Sequence, residues 1–108
     1  MEMVTNEIIE NKIIIPVEAK RKYLEKLIGK MIKILHLIEE DVNPLNFIYG
    51  QLVELNSANQ LFDNELIEVI VKLNVIYRGY NEMEFKDIKK QIFEIKSKIN
   101  YLLKNINE

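Results

Sequence analysis

The feature that most limits how this chain can fold is the spacing of apolar residues near its end. Phe85, Ile88, Ile92, Ile95, Ile99, Leu102 and Ile106 follow one another at alternating intervals of three and four. On a helix these positions share one face, whereas on a strand they would scatter over both. A strip recurring about every 3.5 residues is covered along its length by other helices crossing at a shallow angle. The last segment therefore calls for helical partners.

The rest of the sequence supplies them. After Pro16, a residue suited to a first helical turn, Leu24, Ile28, Met31, Leu35 and Ile38 keep the same rhythm. Asn43-Pro44 reads as an N-cap followed by proline at the first helical position, and Leu45, Ile48, Leu52 and Leu55 continue the pattern. Residues 56–60, NSANQ, read as a loop, and Asp63 as the next N-cap. Phe62, Leu66, Val69, Leu73, Ile76 and Tyr80 form the third seam, with Gly79 and Asn81 suited to ending it. Its centre, LIEVIVKLNVIY over 66–77, has the β-branched content of a strand. Glu68, Lys72 and Asn74 nevertheless avoid the seam, and a lone strand would leave its backbone unpaired. We read this segment as the most buried helix. Gly29 and Gly50 fall inside predicted helices at about 1 kcal/mol each relative to alanine, which points to close helix packing or to a groove that admits a partner's side chain. The sequence thus predicts an all-α fold, an antiparallel up-down-up-down four-helix bundle over 16–108, preceded by a short N-terminal strap over 1–15, in a single domain.

The predicted helices are unequal. The outer two run about 24 residues, or about 36 Å, and the middle two about 15, or about 22 Å. The short pair then leaves Leu24 and Leu27, with Ile99, Leu102 and Ile106, paired only with each other. Ile13, Ile14 and Ile15, preceded by Ile8 and Ile9, enter at that end, with Pro16 setting the bend. These residues are expected to cover the gap on their own chain, to exchange with a second copy in a homodimer, or to form the interface for another protein. The turn Ile14-Ile15-Pro16 with Glu18 and Arg21 resembles the corresponding turn of AbrB-type swapped-hairpin DNA-binding domains. That resemblance implies DNA binding by a fold with further strands after a short helix, whereas this sequence continues as helix to about Glu40.

Chemistry has few residues to draw on. Cysteine is absent, which excludes disulfides and thiolate chemistry. His36 is the one histidine, and its spacing from Ser57 or Ser97 suggests no strained nucleophile turn. His36 can touch Glu39 or Glu40 on a helix, but a ferritin-like site needs two such pairs and two further glutamates. Gly29, Gly50 and Gly79 form no phosphate loop. The expectation is a non-enzymatic protein with no catalytic, cofactor-binding or metal-ligating residue. The acidic start, MEMVTNEIIENK, does not read as a signal peptide, and no apolar run approaches the roughly 18 residues that span a bilayer. A cytoplasmic location is expected. The abundance of isoleucine, lysine and asparagine suggests an A+T-rich genome, bacterial or phage.

Charge is unevenly spread around a net of −2. Residues 16–38 carry six basic and two acidic side chains, while 39–68 carry seven acidic and no basic ones. Lys22, Lys26, Lys30 and Lys33 form a stripe on the first helix, and Lys89, Lys90, Lys96 and Lys98 add charge to the last. Opposite charge on a neighbouring helix accounts for the stripe, and nucleic-acid binding by it is the alternative. Tyr49, Tyr77 and Tyr80 suit both core packing and interface anchoring. Glu39, Glu40 and Asp41 place negative charge at a helix C-terminus, where it is unfavourable and points to a partner or to capping of the helix that follows. In size and outline alone, the chain resembles the pediocin-type bacteriocin immunity proteins, small lysine-rich four-helix bundles. The expected function is protein–protein interaction of the inhibitor, immunity, adaptor or assembly-subunit kind, with a partner interface built from Ile13, Ile14, Ile15, Leu24, Leu27, Ile99, Leu102 and Ile106.

Overall fold

The structure, a computed structural model, describes residues 15–106. The expectations placed on Ile8, Ile9, Ile13 and Ile14 lie outside the described residues. Four α-helices follow in order: α1 (Val17–Glu39), α2 (Leu45–Ala58), α3 (Ile67–Gly79) and α4 (Phe85–Asn105). Two 3₁₀ turns, Asn59–Phe62 and Tyr80–Glu82, follow α2 and α3. Among the described residues there is no strand, so the turn at Ile15-Pro16 opens a single helix of 23 residues and no hairpin fold follows it. The helices run 23, 14, 13 and 21 residues, long-short-short-long as the spacing predicts.

Local chemistry sets the ends. The Pro16 carbonyl accepts the Lys20 N–H at 3.1 Å and opens α1. At its other end Val42 N–H donates to the Leu37 carbonyl at 2.8 Å and Asp41 N–H to that of Ile38 at 3.0 Å, which is a Schellman closure. Asp41 sits at φ 62, in the left-handed region where aspartate is tolerated better than most residues. The acidic patch at this helix end therefore has a local role: one of its members makes the turn. The Asn43 side-chain oxygen accepts the Leu45 N–H at 2.9 Å, although Pro44 takes the N-cap position and the helix begins one residue later than the sequence reading placed it.

The core joins all four helices. Leu24, Leu27, Met31 and Ile34 of α1 meet Ile48, Leu52 and Leu55 of α2, Val69, Leu73 and Ile76 of α3, and Ile88, Ile92, Ile95, Ile99 and Leu102 of α4. The α4 seam is buried as its spacing predicts, with only Phe85 and Ile106 at its ends partly exposed. In α1 the fully buried row is offset, and Ile28, Leu35 and Ile38 flank it half-buried, because a helix packed between two neighbours needs an apolar stripe wider than a two-helix seam. Backbone contact is most extensive between α1 and α4, then between α4 and α3, and between α3 and α2. The α1–α2 seam is looser and is bridged by side chains: Lys30 to Glu54 at 3.1 Å, and Lys33 over the Phe47 ring at 5.1 Å.

Four local expectations are corrected. Residues 56–58 remain in α2 and residues 59–62 form a 3₁₀ turn, so NSANQ is not an open loop. Asp63 does not cap α3; it lies at φ 52 and closes the turn, its N–H reaching the Gln60 carbonyl at 3.2 Å. The cap comes from further back, where the Asn59 side-chain oxygen accepts the Leu66 N–H at 3.0 Å. Close packing at the helical glycines is absent, since a Cβ added at Gly29 or Gly50 would meet nothing within 4 Å. Finally, α3 is not sheathed in protein. Its seam is buried, but Ile67, Val71 and Val75 face outward, because α2 and α4 cover only its two flanks.

Candidate functional site

The end where α1 begins and α4 finishes carries a groove of mixed polar and apolar lining. The two short helices stop before this end, as their lengths predict, but the turn after α2 partly fills the gap. Phe62, buried at the end of that turn, packs its ring against Tyr23 of α1 with centroids 5.3 Å apart. What remains is a cavity of about 460 Å³. Leu24, Phe62, Leu102 and Ile106 give it apolar walls, and Lys20, Asp63, Glu65, Tyr101 and Asn105 line it with polar groups. Lys20 lies over the Phe62 ring, 5.5 Å from its centroid, so the lining holds a cation as well as the carboxylates of Asp63 and Glu65.

The predicted interface residues divide. Leu24 and Leu102 are buried and line the cavity, and Ile106 lines it half-buried. Leu27 and Ile99 are buried in the core and do not reach it. Ile15 packs partly buried against the core, while Ile13 and Ile14 lie outside the described residues. Sequence reasoning missed Phe62 and Tyr101 as groove residues. The signal for Tyr101 was present: it is an aromatic side chain off the α4 seam, 58% exposed, with Lys98 5.0 Å from its ring centroid.

The basic residues are largely engaged. Lys30 and Lys33 hold α2, Lys72 and Lys98 bridge α3 and α4 by pairing with Glu94 at 3.2 Å and Glu68 at 3.3 Å, and Lys89 and Lys96 lie over Phe85 and Phe93. Of the α1 stripe, Lys22 and Lys26 stay exposed to solvent. Tyr49 and Tyr77 pack their rings together at 6.0 Å across α2 and α3. His36 is exposed in the last turn of α1, and among the described residues no group of three histidine, cysteine or acidic side chains is placed to hold a metal ion. No described helix is long and apolar enough to cross a membrane. No protein-family model, curated protein or solved structure matches this chain.

Proposed function

We propose that the chain is a non-enzymatic interaction protein of the inhibitor, immunity, adaptor or assembly-subunit kind, binding a segment of another protein in the groove between α1 and α4. The observation that carries this reading is the 460 Å³ cavity itself, whose lining combines aliphatic side chains, an exposed tyrosine and charges of both signs. Such a site takes one or two apolar side chains of a partner and orients the segment that bears them. Tyr101 is the natural anchor, since tyrosine contributes a large contact area at small cost in side-chain freedom. The nucleic-acid alternative draws less support, because two of the four stripe lysines already hold α2.

Affinity capture from the source cells, run in parallel with wild-type protein and Tyr101→Asp, tests the proposal. Tyr101 is exposed, so the substitution leaves the core intact. A protein retained by the wild type and weakened at least about tenfold by Tyr101→Asp is the expected result. Equal retention by both would reject the groove as the binding site. Retention of DNA or RNA that falls steeply with salt and is lost in Lys22→Glu/Lys26→Glu would make the alternative the correct reading.

A further inference from the structure

The outer face of α4 gathers positive charge in an acidic chain. Six lysines against two acids give this helix a net charge of +4, while the whole chain stands at −2, so the remaining residues sum to −6. Lys86, Lys90, Phe93, Ser97, Tyr101 and Lys104 follow at intervals of four, three, four, four and three, which puts them on one face, and all are exposed. Neither acid interrupts the row. Glu94 turns to Lys72 of α3 at 3.2 Å, and Asp87, seven positions earlier, lies on the same edge as Glu94. Among the described residues no carboxylate pairs with Lys89, Lys90 or Lys104. Lys89 and Lys96 lie over the rings of Phe85 and Phe93, which carry no counter-charge, so both keep their positive field.

Aromatic side chains interleave with this charge. Phe93 and Tyr101 are 55 and 58% exposed. Eight residues separate them, or about 12 Å along the axis, and the row from Lys86 to Lys104 spans about 27 Å. An open hollow of about 380 Å³ lies beside Phe93 and another of about 590 Å³ beside Tyr101, and they adjoin at Ser97, which lines both.

We propose that this face binds single-stranded nucleic acid, with the lysines on phosphates and the rings of Phe93 and Tyr101 against bases. Charge complementarity selects a polyanion. The rings and the open form of the hollows select its kind. The aliphatic side chains of an acidic peptide need an enclosed pocket, whereas an unpaired base needs only a ring face with cations beside it. In a duplex the base faces are already stacked on one another, so a single strand is the form that uses the rings. Ser97 and Asn100, between the rings, offer donors and acceptors to base edges. Stacking and phosphate contacts serve any base, so binding is expected without strong sequence preference. The site does not rest on the α1–α4 groove, since Lys90, Phe93 and Lys104 do not line that cavity. Tyr101 borders both sites and is therefore left unchanged in the test.

Fluorescence anisotropy of a labelled oligothymidylate of about twelve nucleotides, titrated with the full chain, reads the result. The wild type should bind in roughly the micromolar range at low salt. With about four phosphates contacted, its affinity should fall about fiftyfold over a roughly fourfold rise in salt. Phe93→Ala should weaken binding about tenfold without altering that salt dependence, and Phe93→Tyr should bind as the wild type does. Lys90→Gln/Lys104→Gln should roughly halve the salt slope, while Lys22→Gln/Lys26→Gln leaves it unchanged. All of these positions are exposed, so the variants should melt with the wild type. Absence of binding at low salt overturns the proposal, as does loss of binding in the Lys22→Gln/Lys26→Gln variant. Equal affinity for polyglutamate of the same length, unaffected by Phe93→Ala, assigns the face to an acidic polypeptide instead. Equal affinity for a duplex of the same length overturns the stacking.

Discussion

Tyr23 carries one of two buried polar atoms without a hydrogen-bond partner among the described residues, the other being the Gln51 side-chain oxygen. Both belong to the helices that form the looser seam. Burial, and secondly the Glu54 carboxylate, disfavour the phenolate and hold the Tyr23 hydroxyl above the ordinary 10.0. As pH rises past about 10 the unfolded chain releases this proton before the folded one does. Stability from this group is therefore complete below that pH and is lost as pH climbs through the folded value. Tyr23→Phe should remove that component from the alkaline unfolding profile. At neutral pH it should change stability by no more than about 1 kcal/mol, because the ring contact with Phe62 stays and no hydrogen bond is lost. Urea melts of both proteins at pH 7 and above pH 10 check this, and a loss beyond about 2 kcal/mol at neutral pH would mean that the hydroxyl has a partner.

At the scale of elements, the α2–α3 connection depends on one side chain. Asn59 accepts the Leu66 N–H through its oxygen and donates through its amide nitrogen to the Asn64 side chain at 3.1 Å. It thereby clasps a turn that contains two left-handed residues, Asp63 and Asn64. Asn59→Ala leaves the half-buried Leu66 N–H unpaired and should cost about 1–3 kcal/mol, whereas Asn59→Asp keeps the acceptor and should cost less. Thermal melts that rank the two variants in the reverse order would refute the clasp. This turn also marks where sequence reading stops. The α3 and α4 seams were legible because a buried face imposes a period, and Ile92, Ile95 and Ile99 obey it. Asn59 was not, because a cap acting across seven residues leaves no local pattern. Asp63 stands where an N-cap would, and only its backbone angle tells otherwise. The groove was half legible: unequal helix lengths pointed to Leu24, Leu102 and Ile106, but Phe62 packing back onto Tyr23 depends on the turn. The exposed row of α3 was misread as burial, since apolar composition alone does not distinguish a face packed in the core from one left exposed.

Across the whole molecule, the four seams of the bundle are unequal, and this sets the order in which it opens. The α1–α4 pair has the longest helices, the most extensive backbone contact and the buried row from Leu24 to Ile34 against that from Ile88 to Leu102. The α1–α2 seam has few close backbone approaches, a buried Gln51 with an unsatisfied oxygen, and an ion pair between half-exposed and exposed side chains that contributes little. Sub-global opening follows the weakest seam. The amides of α2 should therefore exchange with solvent through an opening of lower free energy than those in the middle of α4, which should exchange only on global unfolding. Gln51→Met, which removes the orphaned oxygen and keeps the volume, should slow exchange in α2 and leave α4 less affected. Native-state hydrogen exchange in low denaturant separates these levels. If α2 and α4 exchange at one common free energy, and Gln51→Met moves both equally, then the bundle opens as a unit and the looseness of its first seam has no energetic meaning.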